Sequence, residues 1–260
     1  MALPEDTQTS STTANPNLSK RYSVMNNQRY FSKWQRLQEL LLTTLLGDIP
    51  TIALGPKLRN FVYRSIFAQL GSPVYIQNGV EFLGTDRIQM GKGVYIFKGV
   101  RIDAQGHPNN KIYLANGVAI ERNTDIGALA DTCIYIDEET FIGPGVCIEG
   151  PGNIKIGKRC MIAAHSGIYA NSHNFANSLE PIKHQGVTRK GIVIEDDCWI
   201  GHGVTVLDGV TIGQGSVIGA GTVVNKNVPP LSVAVGVPAR VIKSRISQSL
   251  WEEGVGISGT

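Results

Sequence analysis

"IEDDCWIGHGVTVLDGVTIGQGSVIGAGTVV", residues 194–224, places an aliphatic residue every six positions without a slip: Ile194, Ile200, Val206, Ile212, Ile218 and Val224. Two positions before each of the last five stands a small or β-branched residue: Cys198, Val204, Val210, Ser216 and Thr222. In an extended chain, residues two apart share a face, so each pair points the same way. Glycines at 201, 203, 209, 213, 215, 219 and 221 fall between the pairs, where a corner demands φ > 0 or close backbone approach. Each hexad therefore reads as one short strand and one corner. A six-residue period is too short for a helical repeat and predicts a parallel β-helix.

With small insertions the pattern runs back toward the N-terminus. Ile156, Ile162 and Ile168 form one set, Ile136, Ile142 and Ile148 a second, Leu114, Ile120 and Ile126 a third, and Met90, Ile96 and Ile102 a fourth. The chain is thus expected to be all-β, a prism of about six coils of three hexads. At about 4.7–4.8 Å per coil it stands roughly 28 Å tall around a column of Ile, Val and Leu. Thirty glycines among 260 residues, with 42% hydrophobic and 17% charged, suit such a repeat and argue against a helix bundle or a disordered chain.

The flanks read differently. Residues 1–19 are polar and Ser/Thr-rich and are expected to form a disordered tail. Residues 20–72 read as a helical cap or a membrane-facing segment. Tyr30, Trp34, Leu37, Leu41 and Leu45 recur at helical spacing over 27–46, and Leu58, Val62, Ile66 and Leu70 do so over 56–70, with Pro56 in the first turn. Over residues 20–70 eight Lys/Arg (Lys20, Arg21, Arg29, Lys33, Arg36, Lys57, Arg59, Arg64) stand against only Glu39 and Asp48, so this segment either meets an anionic surface or presents a solvated face. Its apolar stretch "LLLTTLLGDIPTIALG" at 40–55 is too short to span a bilayer and is broken by Asp48 and Pro50. The prism occupies 73–238. Residues 239–260, with "ARVIKSRISQSLWEEG", are expected to form a short C-terminal helix and tail. Cys133, Cys147, Cys160 and Cys198 show no C-x-x-C spacing, and 160 and 198 take small inward positions as core residues. Without a secretory leader at its start, the chain is expected in the cytoplasm, peripheral to its membrane if the basic segment docks there.

The repeat breaks once. Between Ile168 and Ile194 lie 26 positions where six would continue the pattern, so a loop, 174–191, leaves the prism. Long excursions from a rigid scaffold usually carry function. "YANSHNFAN", residues 169–177, stands at its root and sets His173 on the last strand before departure. A histidine so placed, able to take up and return a proton through its ring nitrogen, suits a general base.

The stretch from "NSHNF" through "WIG" and "IGAGTVVNK" to "GVPARVI" resembles the hexapeptide-repeat O-acetyltransferases, both the maltose, galactoside and nodulation-factor enzymes and those of polysaccharide synthesis. The likeness covers about residues 75–245 and is narrowest over 165–243. It implies a left-handed helix, a homotrimer and an acetyl-CoA site in the groove between two prisms. Carried over by position, it makes His173 the catalytic base and places coenzyme contacts at His202, Ala220, Asn225, Lys226, Arg240 and Lys243, with no metal required. The cations Lys226, Arg240 and Lys243 suit anionic phosphates. Small Ala220 lets a pantetheine arm lie against backbone, and Trp199 either flanks the pocket or covers the coil below. The implied reaction is direct transfer to a saccharide hydroxyl, in exopolysaccharide, capsule or lipid-linked glycan synthesis. Asn171, Glu149 and Asn153 are the candidates to orient His173.

Other users of such a prism fit less well. A γ-type carbonic anhydrase binds zinc with histidines of which two lie five apart, but the histidines here are 107, 165, 173, 184 and 202. A non-catalytic scaffold needs the repeat but neither the loop histidine nor the terminal cations. A sugar-nucleotide pyrophosphorylase needs a nucleotide domain larger than the seventy residues before the prism. Nothing beyond the basic segment suggests nucleic acid.

Overall fold

A computed structural model describes residues 33–246; the expected disordered tail, residues 20–32 and the end of the expected C-terminal helix lie outside the described residues. The body is a parallel β-helix. Its strands form three sheets, called here faces one, two and three in the order the chain visits them, of seven, nine and seven strands. Registers between coils pair hexad with hexad. Ile136, Ile156, Ile194 and Ile212 stack on face one, Ile142, Ile162, Ile200 and Ile218 on face two, and Ile148, Ile168, Val206 and Val224 on face three. All twelve side chains are fully buried, each contributing about 1.5–3 kcal/mol relative to exposure.

The small inward residues also fall where the hexads placed them. Cys198, Val204, Val210, Ser216 and Thr222 are buried at the corners, and Cys160 and Cys198 are free thiols of the core. The glycines divide into two kinds. Gly203, Gly209, Gly215 and Gly221 hold φ of 64°, 84°, 67° and 69°. At Gly201 and Gly213 the next coil is the constraint: a Cβ would lie 2.7 Å from the Ala220 nitrogen and 2.4 Å from the Pro230 nitrogen.

The prism has about seven turns, one more than the hexads counted. The extra turn is the first, made by Gln69–Leu70, Val74–Ile76 and Glu81–Leu83. Leu70, expected to end a helix, instead pairs with Met90 as a strand, because the chain has already left the helix through a 3-10 turn at Tyr63–Ser65. At the far end a second expectation fails. Arg240–Ser244 is a strand, not the start of a helix, and runs antiparallel to Ser232–Val235. The last parallel strand of face two would otherwise present open N–H and C=O groups, and this return strand satisfies them.

Two helices close the N-terminal end, α1 (Lys33–Gly47) and α2 (Gly55–Val62). Two buried charges attach them to the prism. The Glu39 carboxylate accepts the Gly84 and Thr85 N–H groups at 2.9 and 3.0 Å. Arg59 donates to the Ile76 carbonyl at 3.0 Å and, through Nη1, to the carbonyls of Leu46 and Ile49 at 2.7 and 2.9 Å, so it caps the C-terminal end of α1. Arg59 is thus a core residue and no part of a charged face. Without an acidic partner at hydrogen-bond distance, its burial lowers its pKa from the ordinary value.

Candidate active site

The chain leaves the prism at the corner between faces three and one. After the strand Gly167–Tyr169 it passes Asn171, forms the short strand Ser172–His173, and returns through Val187–Thr188 before re-entering face one at Ile192. The two short strands pair antiparallel, with Ser172 opposite Thr188 and His173 opposite Val187. His173 is exposed, and among the described residues no side chain hydrogen bonds to it.

The hairpin is pinned from both sides. Above it, Asp208 at the same corner of the next coil accepts the Gly191 N–H at 2.9 Å, the Lys190 N–H at 3.0 Å and the Thr188 hydroxyl at 3.2 Å. Below it, the Arg189 guanidinium donates to the Ala130 carbonyl at 3.0 Å. The tip is organised by Gln185, whose amide donates to the Asn177 and Glu180 carbonyls at 2.8 and 2.7 Å, while Asn174 donates to the Gln185 carbonyl at 3.0 Å. A buried or half-buried polar group with its partners satisfied holds one geometry. None of these supports was singled out from the sequence. Asp208 carries no signal of this role in the sequence, because its partners lie across the excursion.

The three candidates to orient His173 separate. Asn153 is committed to the prism, its side-chain oxygen accepting the Cys133 N–H at 2.8 Å. Glu149 lies under Tyr169 in register, with its charge near the Cys147 thiol. Tyr169 folds over Gly167, where a Cβ would lie 2.3 Å from its ring. Burial first, then the nearby Glu149 and Asp125 charges, push the Cys147 thiol up to about 11, so it is no nucleophile at neutral pH. Asn171, two residues from His173 and half-buried, makes no side-chain hydrogen bond among the described residues.

The positions implied as coenzyme contacts fall on two different edges of the prism. Asn225 and Lys226 follow the face-three strand Val223–Val224 and share the His173 corner, two coils further along, about 9.6 Å up the axis. His202 and Ala220 sit at the opposite corner, between faces two and three, where His202 meets His165 edge-to-face at 5.6 Å. Arg240 and Lys243 lie on the return strand of face two, opposite Val235 and Val233. Trp199 stands on face two between Met161 and Val217. Among the described residues Lys226, Arg240 and Lys243 make no ion pair and are exposed. One prism therefore sets His173 and Lys226 on the same edge, two coils apart, and leaves His202, Ala220, Arg240 and Lys243 elsewhere.

A β-helix turned in hexads, with one ordered excursion, defines a hexapeptide-repeat protein. Residues 191–226 match the family model of the bacterial transferase hexapeptide (six repeats), and the chain carries that repeat. It is 32% identical over 190 residues to a probable acetyltransferase of Mycobacterium tuberculosis, covering 73% of this chain and 58% of that one. It is 37% identical over 134 residues to the polysialic acid O-acetyltransferase of Escherichia coli O1:K1 / APEC, covering 50% of this chain and 43% of that one. The chain thus spans about half the length of the curated relatives it matches. Among solved structures, an N-acyltransferase from Bacillus cereus in complex with dTDP and coenzyme A aligns over 72% of this chain and 89% of its own, at 20% identity and a TM-score of 0.47.

Proposed function

We propose that the protein transfers an acetyl group from acetyl-CoA to a hydroxyl of a saccharide acceptor, with His173 as general base. The observation that carries this reading is the presentation of His173. It is exposed and without a side-chain partner, yet its hairpin is tied to the prism at Asp208 and Ala130. A base so placed meets a substrate in a fixed position without being consumed by the fold. The names of the two curated relatives described above support acetyl transfer, and the polysialic acid in one of them supports a saccharide acceptor.

In the proposed step His173 takes the proton of the acceptor hydroxyl as its oxygen attacks the thioester carbonyl. A C–O bond forms, the C–S bond breaks, and the departing thiolate takes up the proton held by the imidazolium. Asn171 is the group proposed to orient the ring. Lys226, Arg240 and Lys243 have the charge to hold the phosphates of the coenzyme, and Ala220 leaves room beside the backbone for its pantetheine arm.

The division of these residues between two edges favours a site completed by a second prism in a homotrimer. Face two offers a surface for such contact, with Tyr95, Phe141, Met161 and Trp199 exposed along one line of register. Calorimetric titration with acetyl-CoA tests the reading directly, beside a Lys226→Ala/Arg240→Ala variant. Micromolar binding that the variant loses supports the donor site. No binding by the intact protein removes the acetyltransferase reading in favour of a scaffold.

A further inference from the structure

Helix α1 is apolar on two opposite sides, and the fold uses only one. Leu42 and Leu46 pack against the core, with Glu39 buried on the same side. Trp34, Leu37, Leu41 and Leu45 recur at spacings of three and four residues on the opposite side and are 79%, 44%, 50% and 68% exposed. Scattered exposed leucines are ordinary, but a continuous ridge along a helix marks a surface that something covers. The turn that follows α1 repeats the theme. Ile52 is 96% exposed, and Leu54 holds φ 64°, a conformation that glycine or asparagine would adopt at lower cost.

The charges around the ridge select its partner. Over the described residues 33–64, Lys33, Arg36, Lys57 and Arg64 are exposed, and Asp48 is the single exposed acid. A twofold contact between copies would set these cations against one another, whereas an anionic lipid surface matches them. Among the described residues no helix is long and apolar enough to cross a membrane, so the ridge can only lie along one.

We propose that the helical cap docks the protein on an anionic membrane surface. In that arrangement α1 lies in the interface plane, the Trp34–Leu45 ridge sits at the headgroup boundary, and Lys33 and Arg36 meet the anionic headgroups. This inference stands apart from acetyl transfer, and its test does not involve the coenzyme.

The test is co-sedimentation of the full chain with phosphatidylcholine vesicles containing about a third phosphatidylglycerol, beside pure phosphatidylcholine vesicles. The anionic vesicles are expected to carry the protein down, with about tenfold or greater weakening in high salt or on the neutral vesicles. A Leu41→Glu/Leu45→Glu variant loses about tenfold or more in partition while its thermal midpoint and oligomeric mass stay unchanged, since both side chains are exposed. Lys33→Gln/Arg36→Gln also weakens binding and flattens the salt dependence. Absence of binding to the anionic vesicles, or equal binding to the neutral ones, overturns the proposal. A fall in oligomeric mass in the Leu41→Glu/Leu45→Glu variant overturns it too, by assigning the ridge to a contact between subunits.

Discussion

Asp208 accepts the Gly191 N–H at 2.9 Å and thereby closes the root of the excursion that carries His173. The same carboxylate takes the Lys190 N–H and the Thr188 hydroxyl, so three donors from one returning strand converge on one side chain of the coil above. Hydrogen bonds to a charged acceptor contribute about 1.5–3 kcal/mol each. Asp208→Ala should leave the prism folded while freeing the hairpin. Limited proteolysis under native conditions is expected to cut within 174–190 at least tenfold faster in the variant, because cleavage tracks the population of the open form. An unchanged cleavage rate would mean that the remaining contacts, Arg189 to Ala130 and the strand pairing among them, suffice to hold the loop.

His173→Ala separates chemistry from fold. The side chain is exposed and makes no side-chain hydrogen bond among the described residues, so its loss should shift stability by no more than about 0.5 kcal/mol. Turnover with acetyl-CoA and a saccharide acceptor is expected to fall about a hundredfold or more, with coenzyme binding retained. Turnover that survives the substitution takes His173 out of the mechanism.

The difference between what the residues disclose and what the structure adds follows from range. The hexad is a local rule: Ile200 sits above Ile162 because each lies at the same phase of a six-residue period, and that phase is written in every coil. Asp208 meets Thr188 across twenty residues and Arg189 meets Ala130 across 59, and no period links those pairs. Leu70 fits a helical and a hexad spacing equally, so the first strand of the first coil reads as the end of the helix before it. Likewise "RVIKS" at 240–244 suits helix or strand, and the open edge of Ser232–Val235 decides for strand. Arg59 reads as one more surface cation until the carbonyl ends of α1 are placed around it. The excursion that carries His173 is legible because it is by far the longest interruption of the repeat. The division between two edges of the positions that the resemblance implies as coenzyme contacts follows only from the stacking of the coils.

Arg59 makes the cap testable apart from the prism. Replacing it by leucine removes the guanidinium from the carbonyls of Ile76, Leu46 and Ile49, of which Leu46 keeps only the Ile49 N–H at 3.3 Å, and is expected to cost about 3 kcal/mol or more. Hydrogen exchange should then accelerate over α1 and α2 while strands such as Ile192–Ile194 keep their protection. Uniform loss of protection along the chain would show that cap and prism unfold as one unit.

Gly201 and Gly203, two residues apart, predict unequal costs of different origin. A Cβ at 201 meets backbone atoms of the coil above, the Ala220 nitrogen at 2.7 Å and the Ile218 carbonyl oxygen at 2.8 Å, which cannot yield without parting the coils. At 203 there is open space, and the constraint is φ 64°. Gly201→Ala is expected to destabilise by about 3 kcal/mol and Gly203→Ala by about 1 kcal/mol. Gly203→Asn should be close to neutral, since His165 holds φ 58° at the equivalent corner one coil below. Denaturant midpoints of the three variants check the order, and equal losses at 201 and 203 would refute the division of the glycines.

Tyr63 sets an alkaline limit on the cap. Its ring is buried against Phe67 and Phe82, with centroids 6.0 and 6.2 Å away. Burial, reinforced by Asp48 and opposed by Arg59, pushes its hydroxyl up to about 12 from the ordinary 10.0. The folded protein thus keeps a proton that the unfolded chain gives up, and the sign of the linkage follows. The contribution is fully present below pH 10 and is lost as pH rises toward 12, by an amount on the order of 2–3 kcal/mol. Tyr63→Phe keeps the ring packing and removes the titrating group. Stability of the variant relative to the native chain should therefore be constant up to pH 10 and improve between pH 10 and 12. A parallel pair of stability curves across that window would show that Tyr63 ionises in the folded protein as readily as in the unfolded one.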